Sequence, residues 1–165
     1  MRPALILSAV IVILDQLSKA WLIGWVQDQG GWQQITGFFN LVMVWNRGIS
    51  FGMLQSGDTG RWLLVVFSLA VCLGLGFWLR RQIRRWPSYA LGAVIGGALG
   101  NIIDRIWRGA VADFFDFHLM GYHWPAFNVA DSAITIGVAM LLYDSFRTES
   151  DGDEGSGDDV GAKDA

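Results

Sequence analysis

The chain has 165 residues, 53% of them hydrophobic and 16% charged, against roughly 45–50% apolar and about 25% charged in an average soluble domain. Its 21 glycines, three prolines and nine tryptophans exclude a disordered, collagen-like or proline-rich chain, and the lone Cys72 excludes an intramolecular disulfide framework. The net charge of −3 is uneven: residues 149–165 carry seven acids and one base, whereas residues 1–148 hold eleven bases and eight acids.

The first predicted element is an apolar helix over residues 4–26, interrupted by Asp15, Gln16, Ser18 and Lys19. Arg2 and the apolar run after it resemble a cleavable signal peptide. More apolar sequence follows the DQLSK cluster, and no small-x-small cleavage site precedes Asp15, so a retained span is expected. Residues 32–53 mix aromatic, β-branched and turn residues without a helical period. Phe38 to Trp45 reads as one or two short strands and Asn46-Arg47-Gly48 as a turn. About 35 residues of this composition cannot bury a core of their own, so this stretch is expected to rest on a membrane surface.

Trp62 to Leu79 is eighteen residues without a charge, bounded by Arg61 and Arg80. At 1.5 Å per residue it is about 27 Å long, enough to cross a hydrocarbon core of about 30 Å. A third span is predicted over Tyr89 to Ile103. There Gly92, Gly96 and Gly100 recur every four residues, so one helix face is bare enough for a neighbour to approach closely. A fourth runs from about Phe127 to Tyr143. Arg80, Arg81, Arg84 and Arg85 crowd the connection between spans two and three. By the positive-inside rule that connection and both termini are cytoplasmic, and tryptophans near the span ends form an aromatic belt. Residues 149–165 read as a disordered acidic cytoplasmic tail. The predicted fold is thus an all-α membrane protein, four transmembrane helices over residues 1–148 with a small extracytoplasmic β-sheet and loop element.

Outside the tail several acids fall at or inside membrane boundaries, where an ionisable group costs a few kcal/mol and calls for a function or a partner. Asp144, ahead of Arg147, reads as a solvated boundary residue. Asp15 lies one turn before Lys19, a spacing for an intrahelical ion pair. Asn101, Asp104 and Arg105 share one end of the third span and organise a site or anchor the interface. Asp113 and Asp131 are both predicted on the outer side, with seventeen residues between them in the chain. Two carboxylates in one site cannot both ionise easily, so one keeps a proton while the other is a base. Such a pair can activate water and protonate an amide leaving group. Two unrelated carboxylates near a membrane surface are the alternative.

Five motifs occur in order along the chain: Asp15-Gln16-x-Ser18-Lys19, Asn46-x-Gly48-x-Ser50-Phe51-Gly52, Gly100-Asn101-x-x-Asp104-Arg105, Val111-x-Asp113-Phe114 and Phe127-Asn128-x-Ala130-Asp131-x-x-Ile134. Over about residues 1–146 this pattern resembles prolipoprotein signal peptidase, the signal peptidase II family. The resemblance implies an intramembrane aspartyl endopeptidase of the bacterial inner membrane that cuts prolipoproteins just before a diacylglyceryl-modified cysteine. By motif position, Asp113 and Asp131 match the catalytic aspartates. Asn46, Gly48, Asn101, Arg105 and Asn128 match the lining that holds the dyad and the substrate backbone, while Asp15, Lys19 and Asp104 match structural polar positions. The family's small sheet corresponds to roughly residues 30–60. Ser50 stands where many relatives have alanine, and Asp116 adds a third carboxylate that competes with Asp113.

No cofactor, metal or nucleic acid is expected. The partners are prolipoproteins and membrane lipids, the active site lies near the extracytoplasmic face, and the protein is expected as a monomer. Three rival classes have sequence support: a polytopic transport or proton-relay protein built on the intramembrane acids, a metal hydrolase using Asp113, Asp116, His118 and His123, and a scaffold associating through the glycine face. Paired inverted repeats, a mark of many transporters, are absent, and two histidines five apart are weak ligand spacing. Cys72 in mid-span reads as inert packing.

Overall fold

The computed structural model describes residues 1–48 and 57–154. Ser50, Phe51 and Gly52 of the second motif, and residues 155–165 of the acidic tail, lie outside the described residues. The elements in chain order are helix α1 (Arg2–Asp28), strands β1 (Trp32–Gln34) and β2 (Phe39–Asn46), helices α2 (Gly57–Arg81) and α3 (Arg85–Trp107), strands β3 (Val111–Leu119) and β4 (Tyr122–His123), and helix α4 (Val129–Glu154).

Three helices are long and apolar enough to cross a membrane: α1, α2 from Asp58 and α4 as far as Arg147. Their outward faces are studded with exposed Leu, Ile, Val and Phe, as lipid-facing helices require. Helix α3 has the length, but its glycines with Asn101 and Asp104 leave it less apolar. Instead it is the interior of the bundle, buried from Pro87 to Gly97 except at the exposed Tyr89, and packed against α1, α2 and α4.

Glycine is what lets α3 take that place. A Cβ on Gly92 would lie 2.6 Å from the Ala4 carbonyl oxygen of α1, one on Gly96 2.8 Å from that of Ser8, and one on Gly100 2.6 Å from the Asp15 carboxylate. The Gly92/Gly96/Gly100 face is therefore occupied by α1 of the same chain. Gly97 meets Ala130 of α4 in the same way, and Gly137 of α4 returns the contact at Ala90. Gly96→Val is expected to cost about 1–3 kcal/mol through overpacking and to lower the thermal midpoint in detergent. Gly76→Ala in α2, where an added Cβ meets nothing within 4 Å, leaves the midpoint unchanged or raises it.

The strands form one antiparallel sheet in the order β1-β2-β3-β4. In the β2–β3 pairing Phe39 faces Phe117 and Asn46 faces Val111, with an irregularity between Leu41 and Val44 that sets Val44 opposite Asp113. The sheet thus draws on both stretches between spans, which corrects the expectation that residues 30–60 supply it alone. Strand β3 is covered on both faces from Val111 to Phe114, so it lacks the polar alternation of a half-exposed strand. The turn at Asn46-Arg47-Gly48 is present, closed by the Asn46 Oδ1 accepting the Gly48 N–H at 3.1 Å. Helix α4 continues to Glu154, so the expected tail boundary at residue 148 falls inside a helix. Asp144 accepts a two-pronged bond from Arg84 at 2.7 and 2.8 Å, and that pair ties α4 to the start of α3.

Candidate active site

Asp113 and Asp131 come from elements that fold back on each other. The peptide N–H groups of Phe114 and Phe115 both donate to the Phe127 carbonyl, and the Phe127 N–H donates to Phe115. This isolated bridge holds the segment before α4 against β3 and so sets the start of α4 beside Asp113. Asn128 is the N-cap of α4. Its Oδ1 accepts the Asp131 N–H at 2.9 Å, and the Asp131 Oδ2 accepts the Asn128 N–H at 3.3 Å. This reciprocal pair is a capping box with aspartate in the third position.

The Asn128 amide then reaches the other acid: its Nδ2 donates to Asp113 Oδ1 at 2.7 Å. One asparagine is therefore bonded to both aspartates. Asn46 Nδ2 donates to Asp113 Oδ2 at 3.1 Å, and Asn101 Nδ2 donates to Asp131 Oδ1 at 2.7 Å. Asp113 is buried, with 2% of its surface exposed. Burial first, and the Asp131 charge second, push its carboxyl from the ordinary 3.8 up to about 7, against the opposing bonds from Asn46 and Asn128.

The aspartates face a cavity of about 750 Å³ whose polar wall is Asn46, Gly48, Arg105, Asp113 and Asp131. Its apolar wall, from Trp124 to Phe127 and along α4 to Ile136, leads to the lipid-facing side of the helix. Arg105 crosses the polar end, with Nη2 donating to the Gly48 carbonyl at 3.3 Å. Its Nε is buried without a partner among the described residues, which leaves a cationic donor beside the aspartates.

Asp15, Lys19 and Asp104 lie one layer deeper and do not line the cavity. Lys19, fully buried, gives its ammonium to Asp15 at 2.8 Å, Asp104 at 2.7 Å and the Asn101 Oδ1 at 3.3 Å. All three of its donors are thereby used. The intrahelical Asp15–Lys19 pair read from the sequence is present, but it is half of a larger network. Arg108 bonds Asp104 and, at 3.0 Å, the Gln16 Oε1. Asp15 also accepts the Ala130 N–H at 3.0 Å, and Asp104 the Ala112 N–H at 3.2 Å. Each buried acid is thus fastened to the residue immediately before a candidate catalytic aspartate. The Arg108–Asp104 pair has the i,i+4 spacing of an intrahelical ion pair.

Asp116 sits three residues beyond Asp113 and so on the opposite face of β3. There it accepts Asn40 Nδ2 at 2.8 Å and faces His123 Nδ1 at 2.9 Å, with the His118 ring stacked on His123. Burial works against ionisation, but the bonds from Asn40 and His123 outweigh it and hold this carboxyl below its ordinary value. The four residues of the metal-hydrolase reading are therefore divided between two faces of the sheet. Among the described residues, no group of three or more His, Cys, Asp and Glu side chains is placed to hold a metal ion.

Residues 7–147 match the sequence family described as Signal peptidase (SPase) II. The lipoprotein signal peptidase of Caulobacter vibrioides is 45% identical over 145 residues, 87% of this chain and 86% of that protein. That of Methylorubrum extorquens is 47% identical over 150 residues, 88% of this chain and 86% of the other. A solved structure described as a bacterial membrane enzyme superposes with a TM-score of 0.77 at 26% identity, covering 92% of both chains. A second of the same description gives 0.75 at 28% identity, over 87% of this chain and 92% of that one. With a family match over nearly its whole membrane-spanning length and relatives well above 40% identity, this chain belongs to the signal peptidase II family.

Proposed function

We propose that this protein is an intramembrane aspartyl endopeptidase that removes signal peptides from bacterial prolipoproteins, cutting N-terminal to the diacylglyceryl-modified cysteine. The observation that carries this reading is the pair of aspartates sharing Asn128 at a cavity that opens along α4. A lipid-bearing substrate needs an opening of that kind, because its acyl chains can then stay in the bilayer while the peptide lies across the carboxyls.

Asp113, which holds its proton up to about 7, is the acid, and Asp131 is the base. Asp131 takes a proton from water as the water oxygen attacks the scissile carbonyl carbon. Asp113 gives its proton to the carbonyl oxygen, and the Arg105 guanidinium and Asn46 amide stabilise the negative charge developing there. When the tetrahedral intermediate collapses, the proton held by Asp131 passes to the departing amine and Asp113 recovers its own. Both carboxyls return to their starting states, with no covalent intermediate.

In this reading α3 also crosses the membrane, as the third of four spans. The Arg80–Arg85 connection and both termini are cytoplasmic in the bacterial inner membrane, and the sheet and cavity lie near the extracytoplasmic face. The substrates are prolipoproteins, surrounding lipids fill the exposed helix faces, and a monomer contains the whole site.

The test is cleavage of a diacylglyceryl prolipoprotein by the purified protein in detergent, with unlipidated precursor as the control and with chelator present. Cleavage just before the lipidated cysteine, absent from the unlipidated control and unaffected by chelator, is expected. No cleavage, together with proton or ion flux in proteoliposomes, would favour the transport reading.

The acid assignment has a pH signature. The kcat/KM is expected to fall about tenfold per pH unit above about 7, as the Asp113 proton is lost. Asn46→Ala removes a bond that favours the ionised form, so the falling limb moves to higher pH. The same raised carboxyl favours the folded state most below about 3.8, and this contribution disappears as the pH rises to about 7.

A further inference from the structure

Strand β2 alternates its side chains across its plane. At its end Asn46 and Gly48 face the active-site cavity, while Trp45 and Arg47 face a second cavity of about 600 Å³ on the other side. The end of helix α3 divides two arginines in the same way, Arg105 in its last turn lining the first cavity and Arg108, just past the helix, the second. Arg61, from the start of α2, completes the second cavity with Gly109 and Asp58.

This second cavity is cationic. Arg47 is exposed, whereas Arg61 and Arg108 are 26% and 22% exposed. Arg61 is held across the opening: its Nη1 lies 3.2 Å from where a Cβ on Gly109 would stand, and Gly109 has a φ of +80°. Its Nε is buried with no hydrogen-bond partner among the described residues. Two acids oppose these charges. Asp58 meets Arg61 at 3.1 Å but is 85% exposed, so water screens that pair. Asp104 engages Arg108 from the protein interior.

Arg61 directly precedes Trp62, where the apolar run of α2 begins, and Trp45, Trp62 and Trp107 are exposed around this end of the bundle. Tryptophans at helix ends mark the headgroup level of a bilayer. Guanidinium forks match the oxygens of a phosphate, and basic pockets among membrane helices take phosphorylated headgroups. We propose that Arg47, Arg61 and Arg108 form a binding site for the headgroup phosphate of an anionic phospholipid, back to back with the aspartyl site.

The experiment titrates the full chain in neutral detergent with phosphatidylglycerol, phosphatidylcholine or inorganic phosphate and counts retained ligand by native mass spectrometry. One phosphatidylglycerol is expected to be retained, about tenfold more tightly than phosphatidylcholine. The Arg47→Gln/Arg61→Gln pair is expected to remove that preference while prolipoprotein cleavage in detergent continues, which shows the variant folded. If the wild type retains the two lipids equally, or the double variant keeps the preference, the proposal is overturned. If inorganic phosphate binds and phosphatidylglycerol gains no preference, the ligand is a soluble phosphate and the lipid assignment fails. Each single variant, expected to lose part of the preference, provides the same readout should the double variant fail to fold.

Discussion

Asp113→Asn and Asp131→Asn are each expected to lower cleavage of a lipidated precursor by about 10²–10⁴-fold, with folding and substrate binding kept. Asparagine has the shape of aspartate but can neither accept a proton from water nor deliver one to the carbonyl oxygen. At position 131 the capping box survives in part, because the Asp131 N–H bond to Asn128 Oδ1 belongs to the backbone. At position 113 the new amide can turn only one oxygen toward two donors, Asn46 and Asn128. The mismatched donor costs about 1–3 kcal/mol. Thermal midpoint and retention of a lipopeptide therefore check that each loss is chemical. The decisive comparison is Asp116→Asn. That acid is occupied by Asn40 and His123 on the far face of β3, so its variant should cleave at close to the wild-type rate. An inactive Asp116→Asn beside an active Asp113→Asn would reverse the assignment.

Lys19→Met has the largest expected effect on stability, about 3–5 kcal/mol. Methionine fills similar space but leaves Asp15 and Asp104 facing each other with no exposure to water. Removing one partner from a buried ion pair costs far more than removing the pair, because the remaining charge is uncompensated. A double-mutant cycle with Asp15→Asn measures this: the double variant should recover part of the loss seen in Lys19→Met. The same substitution also releases Asn101 Oδ1, whose bond to Lys19 helps turn the Asn101 amide toward Asp131. Cleavage should therefore fall further than the residual folded fraction explains.

Contacts that repeat at helical spacing could be read from the chain alone. The Asp15–Lys19 pair, the Gly92/Gly96/Gly100 face and the charge-free run of α2 all declare themselves within one helix, and each is present. The convergence of Asp113 and Asp131 was legible because only seventeen residues separate them and both border apolar stretches. Contacts that depend on how elements cross were not. Nothing in the sequence tells that Lys19 of α1 reaches Asp104 of α3, or that Asp15 receives the Ala130 N–H of α4. Strand β3 carries no such signal, because apolar residues on both faces hide its alternation and pairing with β2 rather than propensity makes it a strand. Asp116 illustrates the same limit, since its spacing from Asp113 becomes informative only once the segment is recognised as extended.

Asn128 joins the two candidate catalytic aspartates, and these emerge from the ribosome at different times. A chain ending after β3 carries Asp113 and Asn46 but lacks Asp131, the asparagine bridge and the Ala130 N–H that engages Asp15. The first turn of the last helix is at once its own cap and the closing piece of the candidate catalytic pair. A nascent chain stalled before α4 would be an inactive precursor of a hydrolase, kept latent by order of synthesis rather than by a propeptide.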